Sequence, residues 1–196
     1  MTYIKLMIFF GILVWLIIPL RQYKTRYFGL FLILAITDPF AIVVGRSFNL
    51  VLGQFYVPFS ALYLFSIMDF KKNSIYKIVF SIIISIMGCF AFIHYWEYSS
   101  IFITMVLLFV LVLLIKNSFL SVVEKGSLNI FHIVLVFYQM LNVLKFFSLV
   151  NYFSTGVWFF FLSNILQTFI GIFFLIYRED NPKLLISIAG PKEQTS

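Results

Sequence analysis

Apolar residues in this chain gather into long continuous runs separated by short polar breaks. The runs are Tyr3–Leu20, Tyr27–Gly45, Leu50–Met68, Ile78–Tyr95, Ser99–Ile115, Leu128–Phe147 and Val157–Tyr177. Between them stand Arg21 to Arg26, Arg46 to Asn49, Asp69 to Ser74, Glu97-Tyr98, Lys116 to Ser127, and Ser148 to Gly156. Each run is close to the ~20 residues that an α-helix needs to cross the hydrocarbon core of a bilayer. Lone strands would leave backbone groups unpaired in lipid. A barrel would show alternating segments of about ten residues, and these runs are continuous. The pattern predicts an all-α, polytopic transmembrane helix bundle of about seven spans. Residues 1–177 form the bundle, and residues 178–196 form a short cytoplasmic tail. The second break is only four residues long, so the second and third helices form a tight antiparallel hairpin. Two short apolar pieces outside the runs, Phe119 to Val123 and Leu184 to Ala189, are expected at the membrane interface.

Composition turns the pattern into a class. Apolar residues make up 63% of the chain and charged residues 11%. A soluble domain is nearer half apolar and about a quarter charged. With a mean hydropathy of +1.07, only lipid accepts this much apolar side chain on a protein exterior. The net charge of +7 would suggest nucleic acid in a soluble protein. Here it reads as orientation and anionic lipid, and no nucleic-acid partner is expected.

The basic residues alternate sides. The first, third and fifth breaks and the tail carry Arg21, Lys24, Arg26, Lys71, Lys72, Lys77, Lys116, Lys125, Arg178, Lys183 and Lys192, and the other side carries only Lys5, Arg46 and Lys145. Cytoplasmic loops hold the excess of Lys and Arg, which puts the N-terminus outside and the C-terminus inside. The first run has no small-residue cleavage site after Ile17-Ile18-Pro19-Leu20, so it is read as a retained helix. Short loops and the lack of a visible sorting signal point to a bacterial cytoplasmic (inner) membrane.

Polar groups inside a span need a partner or water, which makes them the best functional clue. Asp38 is the sharpest case. Its insertion costs about 2.5–3.5 kcal/mol at a helix centre, and the surrounding Leu, Ile, Phe and Val residues offset that cost. An unpaired carboxylate does not face lipid, so Asp38 is expected to face the bundle interior. Pro39, next to it, predicts a kink. The sixth run carries His132, Gln139, Asn142 and Lys145; the seventh carries Asn164, Gln167 and Gly171; the third carries Gln54 and Pro58. By the predicted topology most of these lie in the outer half. They predict an outward-facing polar cavity lined by the second, third, sixth and seventh helices. Its ligand-binding residues are Asp38, Gln54, Gln139, Asn142, Asn164 and Gln167, with Arg46 and Lys145 as candidate counter-ions. The plainer reading is that these amides simply hold helices together, at about 0.6 kcal/mol each. His132 reads as a satisfied interior histidine. Ser81, Ser85 and Gly88 form a small-residue stripe, and Tyr95, Trp96 and Tyr98 read as an outer aromatic belt.

Enzymatic signatures are scarce. The chain has no H-E-x-x-H, no G-x-S-x-G and no Gly-rich phosphate loop. Its single cysteine, Cys89, has only the distant-facing His94 nearby. No metal, cofactor or catalytic residue is assigned. Seven spans with an outer N-terminus resemble rhodopsins in topology, but their retinal lysine belongs to the last helix, and here that run has none. The resulting expectation is a non-enzymatic sensor or accessory subunit that binds a small molecule, lipid or partner. Membrane lipids and a partner membrane protein or second copy are its expected associates. A small-solute or proton-coupled transporter is the alternative, followed by a membrane enzyme acting on lipid-linked substrates.

Overall fold

The computed structural model describes residues 2–48, 56–67, 79, 82–84, 86–88, 98–150 and 156–188. The described chain is mostly helical. Helix α1 covers Thr2–Arg21, α2 Phe28–Phe48 and α3 Tyr56–Ile67. Within the fourth apolar run, residues 79, 82–84 and 86–88 are helical and are termed α4. Helices α5 (Ser99–Lys125), α6 (Ile130–Val150) and α7 (Gly156–Ile176) complete the set. Among the described residues three stretches, Ser99–Glu124, Ile130–Ser148 and Trp158–Ile176, are long and apolar enough to cross a membrane. Leu6–Arg21, Phe28–Val44 and Tyr56–Ile67 are apolar but shorter. Large apolar side chains stand on the outside of the bundle, among them Phe9, Val43, Met105, Val123, Trp158 and Phe169. So many large apolar side chains on the exterior mark a surface that meets something other than water.

The fifth helix corrects the sequence reading. The expected break at Lys116 does not occur, and Phe119 to Val123 form the last turns of α5. Isolated polar residues do not stop a helix, and Ser118 turns its hydroxyl back to the Leu114 carbonyl at 2.9 Å. The helix ends at Gly126, which takes a left-handed φ of 61° and donates its N–H to Val122 O. Beyond it, β1 (Ser127–Asn129) pairs antiparallel with β2 (Leu185–Ser187), Leu128 lying opposite Ile186. The apolar piece from Leu184 onward takes part in this ribbon. Its described part clips the tail to the α5–α6 junction, with Leu184 buried.

Neighbouring helices close a ring: α1 packs on α2, α2 on α3, α3 on α5, α5 on α6, α6 on α7, and α7 back on α1. Helices α2 and α3 run antiparallel, with Gly29 beside Ser66 and Phe40 beside Phe59, but Arg46, Ser47 and Phe48 of the expected break belong to α2, and the connection, residues 49–55, lies outside the described set. Gly88 of α4 sits against this ring. A Cβ there would meet the Phe102 ring at 3.1 Å and Val57 at 3.2 Å, so this end of the small-residue stripe serves an internal seam. Ser81 and Ser85 lie outside the described residues. Gly171 lets α7 approach α1, where a Cβ would come within 2.9 Å of Val14.

The ring is filled at one end by aromatic side chains. Phe31 of α2, Phe131 of α6 and Phe174 of α7 are fully buried, with the Phe174 centroid 4.9 Å from each of the other two. Trp15 of α1 caps this layer, 4.6 Å from the Tyr138 ring and 6.5 Å from Phe31. Offset and edge-on rings at these separations contribute about 0.5–1.5 kcal/mol per pair beyond their burial.

Candidate functional site

Beyond Trp15 the ring is hollow. A cavity of about 430 Å³ is lined by residues of α1, α2, α3, α5, α6 and α7. Apolar wall comes from Met7, Ile8, Ile12, Leu34, Ile103 and Leu107, and polar wall from Asp38, Asn142, Lys145, Asn164, Gln167 and Thr168. Pockets for small molecules are of this size and have this make-up, mostly apolar with a few placed polar groups.

Two separate polar assemblies face each other through this space. On α2, the Asp38 carboxylate is exposed and takes a hydrogen bond from the Tyr56 hydroxyl of α3 at 2.6 Å through Oδ1. At the neighbouring α2 position, Thr37 Oγ1 accepts from the Tyr63 hydroxyl of α3 at 3.1 Å and donates in turn to Ile33 O. Across the cavity, the Lys145 ammonium of α6 donates to Asn164 Oδ1 at 2.8 Å and to Gln167 Oε1 at 2.7 Å, both on α7. Gln167 then donates from Nε2 to Asn142 Oδ1 at 2.7 Å. Among the described residues the ion pairs within 4.0 Å are His132–Glu179 and Arg178–Asp180, so Asp38 and Lys145 are not paired with each other.

Placement differs from the sequence expectation in identifiable ways. Asp38, Asn142, Asn164 and Gln167 share the cavity wall. Lys145, expected as a counter-ion, is folded inward onto two amide oxygens. Gln139 is not in the wall: it is buried, and its Nε2 donates to Leu107 O of α5 at 3.0 Å. His132, Gln139 and Asn142, seven and three residues apart, fall on one side of α6, but such spacing does not say which neighbour each group meets. Gln54 lies outside the described residues, as do Cys89, His94, Tyr95, Trp96 and the side chain of Arg46. The reading also missed wall residues with no intramembrane polar signature. Gly11 and Trp15 of α1 and the phenols Tyr56, Tyr63 and Tyr138 fall in this group.

A second polar centre sits at the filled end. Gln22, fully buried in the turn after α1, donates from Nε2 to Phe174 O at 2.7 Å and to Tyr177 O at 2.8 Å. It satisfies carbonyls that the end of α7 leaves without intrahelical donors. His132 Nε2 is 3.4 Å from Glu179 Oε1, and Glu179 also accepts from Arg26 N at 3.0 Å. Asn129 donates to Glu179 O and accepts from Phe131 N, which fixes the start of α6 against the tail. His132 is thus an interior histidine tied to the tail. Its Nδ1, Gln22 Oε1 and the Tyr27 hydroxyl are buried without a protein partner.

Comparison of the chain with protein-family models, with curated proteins and with solved structures gave no match, so the chemistry of the cavity rests on its own geometry.

Proposed function

We propose that the chain is an integral membrane protein of about seven spans, N-terminus outside and C-terminus in the cytoplasm, in a bacterial cytoplasmic membrane. In this reading it takes up a small polar molecule from the exterior into the six-helix cup and acts as a sensor or accessory subunit without catalysing a reaction. The observation that carries the reading is the cavity, with an accessible carboxylate on one wall and a lysine on the other and no ion pair within 4.0 Å between them. Each is bonded within its own helix seam, Asp38 to Tyr56 and Lys145 to Asn164 and Gln167, and each keeps an unused position toward the cavity. The aromatic fill beneath Trp15 supports a cup over a carrier, because passage would require separating four packed rings.

Thiol access tests the placement. In a Cys89→Ser background, Thr168→Cys puts a small thiol in the cavity wall. A membrane-impermeant maleimide added to intact cells labels it, and labelling that requires permeabilised membranes overturns the outward opening. The role itself is tested by flux: proteoliposomes show no uptake of a molecule that stabilises the purified protein, and uptake abolished by Asp38→Asn would favour the carrier instead.

A further inference from the structure

We infer that the ligand of the cavity is a small zwitterion, one end an ammonium group and the other an oxyanion such as a carboxylate or phosphate. The inference rests on the binding role proposed above and adds the chemical class.

The argument starts from the lysine. An ammonium has three donors and no acceptor, so the two amides it touches must turn their oxygens toward it. Asn164 and Gln167 are therefore fixed in orientation, and Gln167 must pass its own N–H to Asn142 Oδ1. Two Lys145 protons are used in this way, leaving the third. The Asn164 amide nitrogen is directed away from the lysine by the same constraint. The α6–α7 wall thus offers N–H donors and a positive charge, the surroundings that a carboxylate or phosphate oxygen takes.

The opposite wall has reversed polarity. An ionised carboxylate only accepts, and Asp38 has one oxygen occupied by Tyr56 while no described residue donates to Oδ2. The rings of Trp15, Tyr56 and Tyr63 line the same space, and aromatic faces attract cations. A lone anion would answer Lys145 and be repelled by Asp38, and a lone cation would meet the converse. A molecule carrying both charges meets both walls and leaves the site electrically neutral.

Two sources supply this chemistry, a soluble amino acid-like compound and the headgroup of phosphatidylethanolamine. The experiment uses the full chain in non-ionic detergent and in phosphatidylcholine nanodiscs with or without phosphatidylethanolamine. Thermal unfolding is followed with glycine, γ-aminobutyrate or phosphoethanolamine, and with ethanolamine, acetate or inorganic phosphate as single-charge probes. At least one zwitterion raises the unfolding temperature at concentrations where its single-charge fragments do not. Asp38→Asn and Lys145→Met each weaken its apparent affinity about tenfold or more, and Asp38→Asn removes the preference for zwitterion over anion. A response to phosphatidylethanolamine nanodiscs and not to soluble probes assigns the lipid source, and the reverse assigns the soluble one. If ethanolamine or phosphate alone stabilises as strongly as any zwitterion, the zwitterion is overturned and the cavity remains a binding site. No response to any probe or lipid overturns both.

Discussion

The two ends of the helix ring use polar residues in opposite ways. At the filled end, Gln22, Asn129 and Glu179 each reach backbone groups of a different segment, and the tail is clipped down by the β1–β2 ribbon. Their hydrogen bonds are directed at fixed peptide groups around an aromatic plug. At the hollow end, Asp38 and Lys145 bond only to side chains, Tyr56, Asn164 and Gln167, and keep unspent capacity toward a cavity. Peptide partners cannot move without moving the helix, whereas side-chain partners can exchange for a ligand at small cost. One end holds the bundle together, and the other keeps its polar groups on a cavity.

Four substitutions test this contrast, each measured as resistance to unfolding in mixed micelles. The largest loss is expected for Phe174→Ala, which opens a hole between Phe31 and Phe131. Truncating a buried aromatic costs about 3–5 kcal/mol. Gln22→Leu comes next, at about 1–3 kcal/mol, because it strands the Phe174 and Tyr177 carbonyls in a buried site. Gly171→Ala, also at the α1–α7 seam, drives a Cβ to 2.9 Å from Val14 and should cost about 1–3 kcal/mol through overpacking, toward the low end since the added group is one methyl.

The smallest effect is predicted at the hollow end. Asp38→Asn keeps an acceptor for Tyr56 and alters an exposed group, so stability should move by no more than about 0.5 kcal/mol. A loss at Asp38 as large as that at Gln22 would mean that both ends are structural, and the contrast would fail. A rise in stability would sharpen it, since functional carboxylates in an apolar setting are retained against stability.

What could be read along the chain followed from local costs. The apolar runs foretold helices because a backbone in lipid pairs its polar groups in a helix or a closed barrel, and a barrel needs shorter, alternating segments. Asp38, Asn142, Asn164 and Gln167 stood out because a polar group in such a run demands an answer wherever the helix ends up. Tyr56, Tyr63 and Tyr138 gave no comparable signal in a chain that is 21% aromatic. Lys116 looked like a break because charge and chain reversal so often coincide, and only Gly126 had the backbone freedom to end α5.

The sequence by itself determined the helical, lipid-suited class and singled out polar groups that insertion makes costly. Tertiary structure alone decided that Gln139 turns to α5 while Asn142 turns to α7, that α1 closes the ring against α7, and that the tail pairs with the α5–α6 junction. The reason is physical. Periodicity assigns a residue to a side of its own helix, but the partner on that side is set by how six helices pack at once. That packing depends on contacts between residues far apart in the chain.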